Sequence, residues 1–437
     1  MKLNRRDFMV MAAAAPALAR PALAGANDRI NAAVIGVRSR GRDHIAAFAK
    51  QPNFLITTIC DIDLGQAAGG QALVEKLQGK KPQIVQDLRR VFDDKNIDVV
   101  TIATPNHWHA LATIWACQAG KDVYVEKPAS HNIQEGQRMV DAARKYQRLV
   151  QIGMQAHSIE HYRRAIEMLH QGVIGKVYMA KGLCYKRRRS IGRKPDGPVP
   201  EGVDYNLWVG PAEMRPFNPN RFHYNWHWFW NTGNGDIGNQ GIHEMDIARW
   251  GLGKKGVAPR VFCSGAKFIY DDDQETPNTQ LSILRYHDDS QIVFEVRGLM
   301  TEGEGEMNLE DPGNYIGVIF LGSEGTLTLD SGGFKVFMGE ERKLTQQMKF
   351  TEEEPWATWP HAANFLKAVR SRKHEDLNCD VGDAYPSVVM LHMSNISCRT
   401  QRPLVFDAGA RNFGHDDEAN SYLSRPYRAP FVVPKQV

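Results

Sequence analysis

Residues 30–49, INAAVIGVRSRGRDHIAAFA, decide the fold of the first half of the chain. The apolar run Ile30–Ile35 predicts a buried strand, Gly36–Gly41 is a turn bounded by glycines, and Asp43–Ala49 has helical character. The first glycine permits a tight turn, the last lets helix and strand pack closely, and the helix N-terminus offers free N–H groups to an anion. The stretch predicts a phosphate-binding turn, and an ordinary strand–helix turn is the alternative.

The turn departs from the usual dinucleotide pattern at its centre, where Arg38 holds the place of the middle glycine. That glycine normally lets the backbone approach a phosphate, so Arg38 either pairs with the phosphates itself or weakens the site. Ser39 and Arg40 complete the turn, and with Gly36 and Gly41 they are the candidate phosphate contacts.

A second apolar run, Phe54–Cys60, ends in Asp61, 25 residues after Gly36. A carboxylate at the end of the second strand suits the hydroxyls of an adenosine ribose and repels a 2′-phosphate, so NAD is favoured over NADP. A helix N-cap for Leu64–Leu77 is the alternative role of Asp61, but Asp63 can fill that role.

Strands and helices alternate over the rest of residues 28–153. We expect strands at Gln83–Val85, Asp98–Ala103, Asp122–Val125 and Leu149–Gly153, and helices at His107–Ala119 and Ile133–Tyr146. This alternation indicates a doubly wound parallel sheet, a Rossmann domain.

Polar residues follow the carboxyl ends of these strands, where ligands of open α/β sheets bind. The candidate cofactor contacts are Thr104, Pro105, Asn106, His109, Glu126 and Lys127. His107 and His109 lie two residues apart and do not share a helix face, which disfavours a metal site; packing or capping is the alternative role of His109. Lys127 is the candidate for proton transfer, and an ion pair is its alternative.

Residues 154–400 predict a second domain, and residues 401–437 an irregular tail. Val177–Tyr185 alternates as a strand, and strands dominate from Val257 onward, which indicates a mostly antiparallel sheet closed by helices around Pro360–Arg370 and Asp383–Cys398. One face of such a sheet needs a cover, so a homo-oligomer, a dimer or tetramer, is expected.

Two patterns in the second domain suit a carbohydrate. The aromatic cluster Tyr224–Trp230, with Trp228 as a candidate substrate contact, supplies flat apolar faces, although aromatic side chains also dominate ordinary cores. Asn239, His243 and Asp246 follow at spacings of four and three, which puts them on one helix face as candidate substrate contacts. A core histidine paired with an aspartate is the alternative.

The long irregular segment Lys186–Tyr224 separates these patterns from the first domain, and a segment of this length is usually functional or an interaction arm. It opens with the charge run Lys186–Arg189. Such a run most often marks a solvated face, and an anion contact or a subunit interface is the alternative.

Composition bounds the class of protein. The 437 residues exceed one ordinary core, hydrophobic residues make up 42% and charged residues 24%, and the net charge is only +4. This composition does not indicate a nucleic-acid-binding protein, which requires clustered basic residues. The six cysteines are widely spaced, so neither a zinc site nor a disulfide framework is expected.

The first 25 residues have the pattern of an export signal. Arg5 and Arg6 form a twin-arginine pair, and the apolar stretch Met9–Leu18 and small-x-small sites ending at Ala19 and Ala24 follow. The apolar stretch is too short to cross a bilayer, so we expect a signal peptide, folded export to the periplasm and no stable membrane span. A basic start before an alanine-rich helix is the alternative.

Together these motifs resemble the glucose–fructose oxidoreductase, inositol dehydrogenase and rhizopine-catabolism (Gfo/Idh/MocA) family, in its exported twin-arginine subgroup. The resemblance rests on the turn Gly36–Gly41, Asp61, residues 104–109, Glu126-Lys127-Pro128 and the helix Gly241–Asp246. It covers essentially the whole mature chain. It implies a Rossmann domain, a domain built on an open antiparallel sheet, and hydride transfer between a nicotinamide and a sugar, inositol or related carbohydrate.

The resemblance also implies roles for single residues. Lys127 corresponds to the family's catalytic lysine and His243 to its catalytic histidine, whereas the family's usual aspartate four residues before that histidine is Asn239 here. We expect Lys127 and His243 to bracket the reacting hydroxyl, with Lys127 the base in oxidation once burial or a nearby cation lowers its pKa. NAD is the expected cofactor, either exchanged in each cycle or held tightly.

Two other classes of function stay open. Some relatives of this fold cleave glycosidic bonds with bound NAD, by transient oxidation of a sugar carbon followed by elimination. A non-catalytic carbohydrate-binding protein that inherited the fold is the other class, and Arg38 and Asn239 are the residues that favour it.

Overall fold

The computed structural model describes residues 29–301, 304, 314–350 and 358–437. The expected signal peptide lies outside the described residues. No helix in the described ranges is long and apolar enough to span a bilayer. The described residues form two sheets with their helices, and both sheets agree with the fold class that the sequence predicts.

The first sheet has six strands, and every neighbouring pair is parallel. The strands, β1–β6 in chain order, are Ile30–Ile35, Phe54–Cys60, Gln83–Val85, Val99–Ile102, Asp122–Val125 and Val150–Ile152. Their spatial order is β3-β2-β1-β4-β5-β6, so the order reverses between β1 and β4. Ligands of doubly wound sheets bind at such a switch point. The predicted Rossmann sheet is confirmed.

Helices link these strands. In the first domain α1–α5 are Ser39–Phe48, Leu64–Gln78, Leu88–Asp93, His109–Gln118 and Ile133–Lys145, and a 3-10 turn at Asn106–Trp108 precedes α4. Asp63 is the N-cap of α2, because its carboxylate accepts the N–H groups of Gly65 (2.9 Å) and Gln66 (3.2 Å). Asp61 is therefore free of the capping role.

The second sheet has nine strands. In chain order, β7–β15 are Val177–Lys186, Arg260–Ala266, Thr279–Arg285, Gln291–Arg297, Asn314–Gly322, Gly325–Asp330, Gly333–Met338, Lys343–Lys349 and Leu404–Val405. Their spatial order is β14-β13-β12-β11-β7-β10-β9-β8-β15, and only β7 and β10 pair in parallel. The sheet is mostly antiparallel, as predicted. Sequence reasoning missed β14, because its residues are nearly all polar and exposed and show no apolar alternation.

The helices of the second domain are α6–α12. They span Glu160–His170, Tyr205–Val209, Gly235–Asn239, Gly241–Gly251, Thr358–Ser371, Val381–Thr400 and Asp417–Ser421, with 3-10 turns at Gln155–Ser158, Pro219–Arg221, His223–Trp228 and His374–Asp376. The ring of Phe294 occupies the space that a Cβ would need at Gly182 of β7 (2.6 Å) and at Gly241 of α9 (2.7 Å). This close contact fixes the start of α9 against the sheet.

The tail after residue 401 is mostly irregular, but it is anchored on the first domain. Phe431 is buried and its ring lies 5.4 Å from that of Trp108. Tyr427 donates a hydrogen bond to Glu135 of α5 at 3.1 Å. The second sheet presents Phe262, Leu281 and Ile283 as exposed apolar side chains.

Candidate active site

A cavity of about 360 Å³ lies where the carboxyl ends of β1, β2 and β4 face the second domain. Many of the predicted site residues line it: Gly36, Arg38, Ser39, Arg40, Asp61, Thr104, Pro105, His109, Glu126, Lys127 and Asn239. Five others are not among its lining residues: Gly41, Asn106, Trp228, His243 and Asp246. The cavity thus joins the predicted cofactor residues to the lysine.

The glycine turn has the backbone geometry that a pyrophosphate site requires. Gly36 has a φ of +80°, and a Cβ there would lie 2.8 Å from the carbonyl group of Ala103. A Cβ on Gly41 would lie 1.9 Å from the carbonyl oxygen of Gly36, so α1 packs directly on the turn. No side chain caps α1, which leaves its first N–H groups available to an anion.

The two arginines of the turn have different surroundings. The side chain of Arg38 is exposed, lines the cavity and makes no hydrogen bond or ion pair within the described ranges. Arg40 instead donates Nε to Oε1 of Glu126 at 2.8 Å and Nη1 to Oδ2 of Asp43 at 3.2 Å. Arg38 is therefore the arginine that can pair with a phosphate, while Arg40 holds an internal carboxylate.

Asp61 sits at the end of β2 beside this turn. Its carboxylate accepts the N–H groups of Val37 at 2.8 Å and of Asp63 at 3.0 Å. Burial raises the pKa of Asp61 to about 6, so the carboxyl is ionised for the most part at neutral pH. The uncapped helix, the glycine cradle and this carboxylate fit the pyrophosphate and ribose of NAD.

The loop after β4 contributes unequally to the cavity. Thr104 and Pro105 line it, and the buried imidazole of His109 lies 2.8 Å from the carbonyl oxygens of both Thr104 and Pro128. Asn106 is buried, and its Nδ2 donates to Oδ1 of Asn234 at 2.5 Å. Asn106 therefore joins the two domains, and its side chain lies apart from the cavity.

Glu126 is the buried centre of the site. Its Oε1 accepts hydrogen bonds from Arg40 (2.8 Å) and Gln155 (3.2 Å), and Nε2 of His44 lies at 3.0 Å. Burial alone would raise the pKa of Glu126, but the Arg40 cation and the His44 hydrogen bond outweigh it and hold the pKa well below its ordinary value. Glu126 is therefore a permanent anion next to Lys127.

Lys127 is partly exposed to the cavity, and its Nζ donates to the backbone carbonyl of Asn239 at 2.6 Å. Burial lowers the pKa of Lys127 and outweighs Glu126, which raises it; Arg40 and Lys186 lower it further. No carboxylate within the described ranges lies at ion-pair distance from Nζ, so the ion-pair alternative for this residue is not what the structure shows.

Asn239 meets Lys127 through its backbone and uses its side chain elsewhere. Its Nδ2 donates to the hydroxyl of Tyr224 at 3.1 Å and to Oδ1 of Asp236 at 3.2 Å. Asp236 is buried and accepts two hydrogen bonds from Arg188, at 2.8 and 2.7 Å. A carboxylate is thus present beside Asn239, although it is already paired with a guanidinium.

His243 lies one turn further along, on α9. Burial, together with the nearby Lys127 cation, lowers the pKa of His243 to about 3. The imidazole is therefore neutral at physiological pH and within electrostatic reach of Lys127. Because α8 ends at Asn239 and α9 starts at Gly241, the two candidates stand on consecutive helices, not on one continuous helix face.

Two predicted substrate residues are directed into the protein. Asp246 is buried and bonded to Nε2 of His157 (2.5 Å), to the Ser387 hydroxyl (2.7 Å) and to Arg249 (3.2 Å). Burial would raise the pKa of Asp246, but His157 and Arg249 lower it overall. The prediction that Asn239, His243 and Asp246 line one pocket is wrong, because only Asn239 lines the cavity and α9 turns the Asp246 carboxylate toward α11.

Trp228 is likewise buried, with the Arg188 guanidinium 5.2 Å from its ring centroid. The aromatic segment instead contributes Tyr224, Trp226 and His227 to the cavity wall. These residues belong to the 3-10 turn His223–Trp228, which ends with Trp228 buried on the side away from the cavity.

Sequence reasoning gave too little weight to the charge run after β7. Lys186 and Arg188 line the cavity, whereas Arg187 and Arg189 are exposed. Nζ of Lys186 donates to Oε1 of Gln240 at 3.2 Å. The period of two along an extended segment was the available signal, since it sends alternate side chains to opposite sides.

Comparison with known proteins agrees with this geometry. Residues 30–154 match the Gfo/Idh/MocA description "Oxidoreductase family, NAD-binding Rossmann fold", and residues 181–433 match "Oxidoreductase family, C-terminal alpha/beta domain". The chain belongs to the Gfo/Idh/MocA oxidoreductase family. The family and the NAD-binding Rossmann domain predicted from the sequence are thereby confirmed.

The chain is similar to an inositol 2-dehydrogenase/D-chiro-inositol 3-dehydrogenase of Lactiplantibacillus plantarum, 29% identical over 195 residues, 43% of this chain and 55% of that protein. It is also similar to a glycosyl hydrolase family 109 protein of Saccharopolyspora erythraea, 26% identical over 36% of this chain and 35% of that protein. The chain spans about half the length of the first curated relatives that it matches.

Among solved structures, levoglucosan dehydrogenase in complex with NADH and L-sorbose has the same fold. The TM-score is 0.66 at 18% identity, and the alignment covers 86% of this chain and 99% of that one. A two-domain architecture of this kind is therefore common to this chain and a sugar dehydrogenase.

Glu126→Gln tests the buried anion at the centre of the site. The amide leaves Arg40 and His44 without their charged partner, so we expect a loss of about 3 kcal/mol in the free energy of unfolding at neutral pH. Because the folded-state pKa of Glu126 is depressed, its contribution is present above the unfolded value of about 4.3 and is lost as the pH falls below it.

Urea unfolding at a series of pH values measures this difference, with the exposed Glu340→Gln as the matched control. The difference between wild type and Glu126→Gln should shrink below about pH 4. Equal stability of the two proteins at neutral pH would contradict the role given to Glu126.

Proposed function

We propose that this protein is an NAD-dependent oxidoreductase that transfers a hydride between the nicotinamide and a secondary hydroxyl of a sugar or polyol. The observation that carries the proposal is the position of Lys127. Its Nζ enters the same cavity as the glycine turn, and burial lowers its pKa. The sugar and inositol dehydrogenases among the similar proteins support this class of substrate.

Lys127 is the proposed base. Oxidation of a secondary alcohol requires loss of the hydroxyl proton while the hydride leaves carbon, and a base with a pKa near the working pH is best suited to this. A neutral amine at Nζ can donate one N–H to the carbonyl of Asn239 and still direct its lone pair at the hydroxyl. The bound nicotinamide supplies the hydride acceptor.

His243 is the proposed second partner of the reacting hydroxyl. Because its pKa is lowered to about 3, it acts as a neutral hydrogen-bonding group and adds no second cation beside Lys127. In the reverse direction, the protonated Lys127 returns its proton to the carbonyl oxygen while the hydride returns to carbon. The alcohol side of the reaction thus depends on these two residues.

The substrate side of the cavity suits a hydroxylated ring. Tyr224, His227 and Gln240 offer hydrogen-bonding groups there, and Trp226 offers a flat apolar face. The side chain of Asn239 lies among them and is hydrogen-bonded to the Tyr224 hydroxyl. The Asn239 side chain therefore positions the Tyr224 hydroxyl in this wall. The hydrogen bond from Lys127 goes to the backbone carbonyl of residue 239, so it does not require an acidic side chain at this position.

Glycoside cleavage with a retained nucleotide is the second candidate function. The similarity to proteins named as glycosyl hydrolase family 109 is the observation that favours it. Release of phenol from aryl glycosides without a change in nicotinamide absorbance would identify this activity, whereas net NADH formation from free sugars or polyols would identify the dehydrogenase.

Lys127→Ala tests the proposed base. We expect kcat for oxidation to fall by about 10²–10⁴-fold, because a positioned acid–base group contributes this much, while NADH binding is retained. The wild-type kcat/KM should rise with pH and level off below the pKa of an ordinary lysine, about 10.4, and this rise should vanish in the variant.

Steady-state rates with myo-inositol and a panel of hexoses, together with NADH fluorescence titration, measure both properties. The exposed Lys176→Ala is the matched control and should behave like the wild type. Full turnover by Lys127→Ala on the substrate that the wild type oxidises fastest would refute the assignment.

Export by the twin-arginine route is also part of the proposal, and it rests on Arg5 and Arg6 in the sequence. We expect the protein in the periplasmic fraction with a mature N-terminus after Ala24. Fractionation and intact mass of the wild type and of an Arg5→Lys, Arg6→Lys double variant test this. An uncleaved wild-type protein in the cytoplasm would exclude it.

A homo-oligomer is the remaining part of the proposal. Phe262, Leu281 and Ile283 share the open face of the second sheet, since Phe262 pairs with Ile283 across β8 and β9 and Leu281 lies two residues along the same strand. Sedimentation of the wild type should give a dimer or tetramer, and Leu281→Lys should shift it toward the monomer. A monomeric wild type at micromolar concentration would contradict this.

A further inference from the structure

The charge run after β7 places two cations on the substrate side of the cavity. Lys186 is the last residue of β7, and Arg188 lies two residues further along the chain. Both side chains line the cavity, beside Gln240. Burial lowers the pKa of Lys127 and the nearby Lys186 cation lowers it further, so this wall lies beside the proposed base. The nicotinamide ring carries no negative charge, so an anion that meets this wall belongs to the substrate.

The charge of Arg188 is already balanced within the protein. Its Nε and Nη2 donate to the two carboxylate oxygens of Asp236, at 2.8 and 2.7 Å, and Asp236 is buried. Its Nη1 donates to the hydroxyl of Tyr224 at 3.0 Å. The pair of Arg188 and Asp236 therefore supports the wall and adds no net charge to it.

Lys186 has a neutral partner instead. Its Nζ donates to the amide oxygen Oε1 of Gln240 at 3.2 Å. Among the residues that the structure describes, no carboxylate lies at ion-pair distance from this amine. An ammonium has three N–H donors, so two of them are left for a ligand. The arrangement resembles that of Lys127, whose amine is held by the backbone carbonyl of Asn239, the residue before Gln240.

The carboxyl group on the far side of Gln240 does not supply the counter-charge. Nε2 of Gln240 donates to Oε1 of the buried Glu244 at 3.2 Å. Burial raises the pKa of Glu244 to about 8, although the Lys186 cation lowers it, so Glu244 is protonated for the most part at neutral pH. Lys186 therefore carries an uncompensated positive charge at a partly buried position, where pairing with an anion is favourable.

The hydroxyl of Tyr224 is a second donor at this wall. Its oxygen accepts hydrogen bonds from Arg188 at 3.0 Å and from Nδ2 of Asn239 at 3.1 Å. Both lone pairs are thereby used, so the hydroxyl hydrogen is available to an acceptor atom of a ligand. Tyr224 lines the cavity and is 45% exposed, which leaves room for that ligand. Because Tyr224 is bonded to Asn239 and Lys186 to Gln240, the two donors are held on consecutive residues.

We propose that the substrate is a sugar acid whose carboxylate is bound by Lys186 and the Tyr224 hydroxyl. A carboxylate carries one negative charge, which the one uncompensated ammonium balances, and its two oxygens match the two donors. A phosphate monoester carries nearly two charges at neutral pH and requires more cationic donors. Lys186 then determines specificity, and Lys127 remains the base. The inference rests on the proposed function and names the class of substrate that the same site accepts.

Binding of matched ligands to the NADH-loaded full chain tests the inference without requiring turnover. The pairs are D-glucuronate with D-glucose, D-galacturonate with D-galactose, and D-gluconate with D-glucitol. Each acid has a carboxylate where its partner has a hydroxymethyl group, and the 6-phosphates of glucose and galactose supply the alternative anion. Titration calorimetry in saturating NADH measures each dissociation constant. In the pair that binds best, we expect the acid to bind about tenfold more tightly than its neutral partner, which corresponds to about 1.4 kcal/mol.

Three variants assign the preference to its residues. Lys186→Gln should abolish the preference for the acid and leave the affinities for the neutral partner and for NADH unchanged, because only the charge of the wall is lost. Tyr224→Phe should weaken binding of the acid more than binding of the neutral partner, since a hydrogen bond to a charged group is the stronger one. Arg189→Gln is the matched control, because it removes one charge from the same run at an exposed position, and it should bind as the wild type does.

Each outcome decides. Equal affinity within every pair, no binding of any acid, or a preference that Lys186→Gln leaves unchanged overturns the inference. Tighter binding of the 6-phosphates than of the acids overturns the assignment to a carboxylate. These results leave the proposed dehydrogenase standing if NADH forms from a neutral sugar or polyol. Preferred binding of an acid that Lys186→Gln abolishes, with no NADH formed from any sugar, polyol or sugar acid, would instead contradict the proposed function and leave the carboxylate site in place.

Discussion

The hydrogen bond from Nζ of Lys127 to the backbone carbonyl of Asn239, 2.6 Å long, is the constraint on which the site depends. It crosses the border between the domains, since Lys127 follows strand β5 of the first domain and Asn239 ends helix α8 of the second. A backbone acceptor holds the amine without adding negative charge, so burial can still lower the pKa of Lys127.

The buried cluster around Glu126 provides the support for that arrangement. Arg40 lies where the glycine turn enters α1, His44 lies one turn further along α1, and both contact the Glu126 carboxylate next to Lys127. The nucleotide turn and the proton-transfer residue are therefore linked through one buried anion. Because Arg40 is bonded to Glu126, it is not available to the phosphates. Arg38, which replaces the usual glycine, is available to them.

Local patterns predicted the strands, the glycine turn and Lys127 because each depends on short-range periodicity or on position at a strand end. The direction of the Asp246 side chain could not be predicted. A new helix, α9, starts at Gly241, and the Asp246 carboxylate is bonded to His157 and Ser387, which lie in distant segments of the chain. The contact of residues 202–208 with the first domain could not be predicted either, because the carbonyls of Gly202 and Leu207 accept hydrogen bonds from Gln86 and Trp108, which lie about 100 residues away in sequence.

The most direct measurement of the central claim is the pKa of Lys127 itself. Competitive labelling of lysine amines over a pH series, read by peptide mass spectrometry, yields the pKa of each labelled lysine in the folded nucleotide-bound protein. The account predicts that Lys127 titrates below the exposed Lys176, and that Glu126→Gln lowers the pKa of Lys127 further, because the neighbouring anion raises it. A Lys127 pKa equal to that of Lys176 would contradict the account.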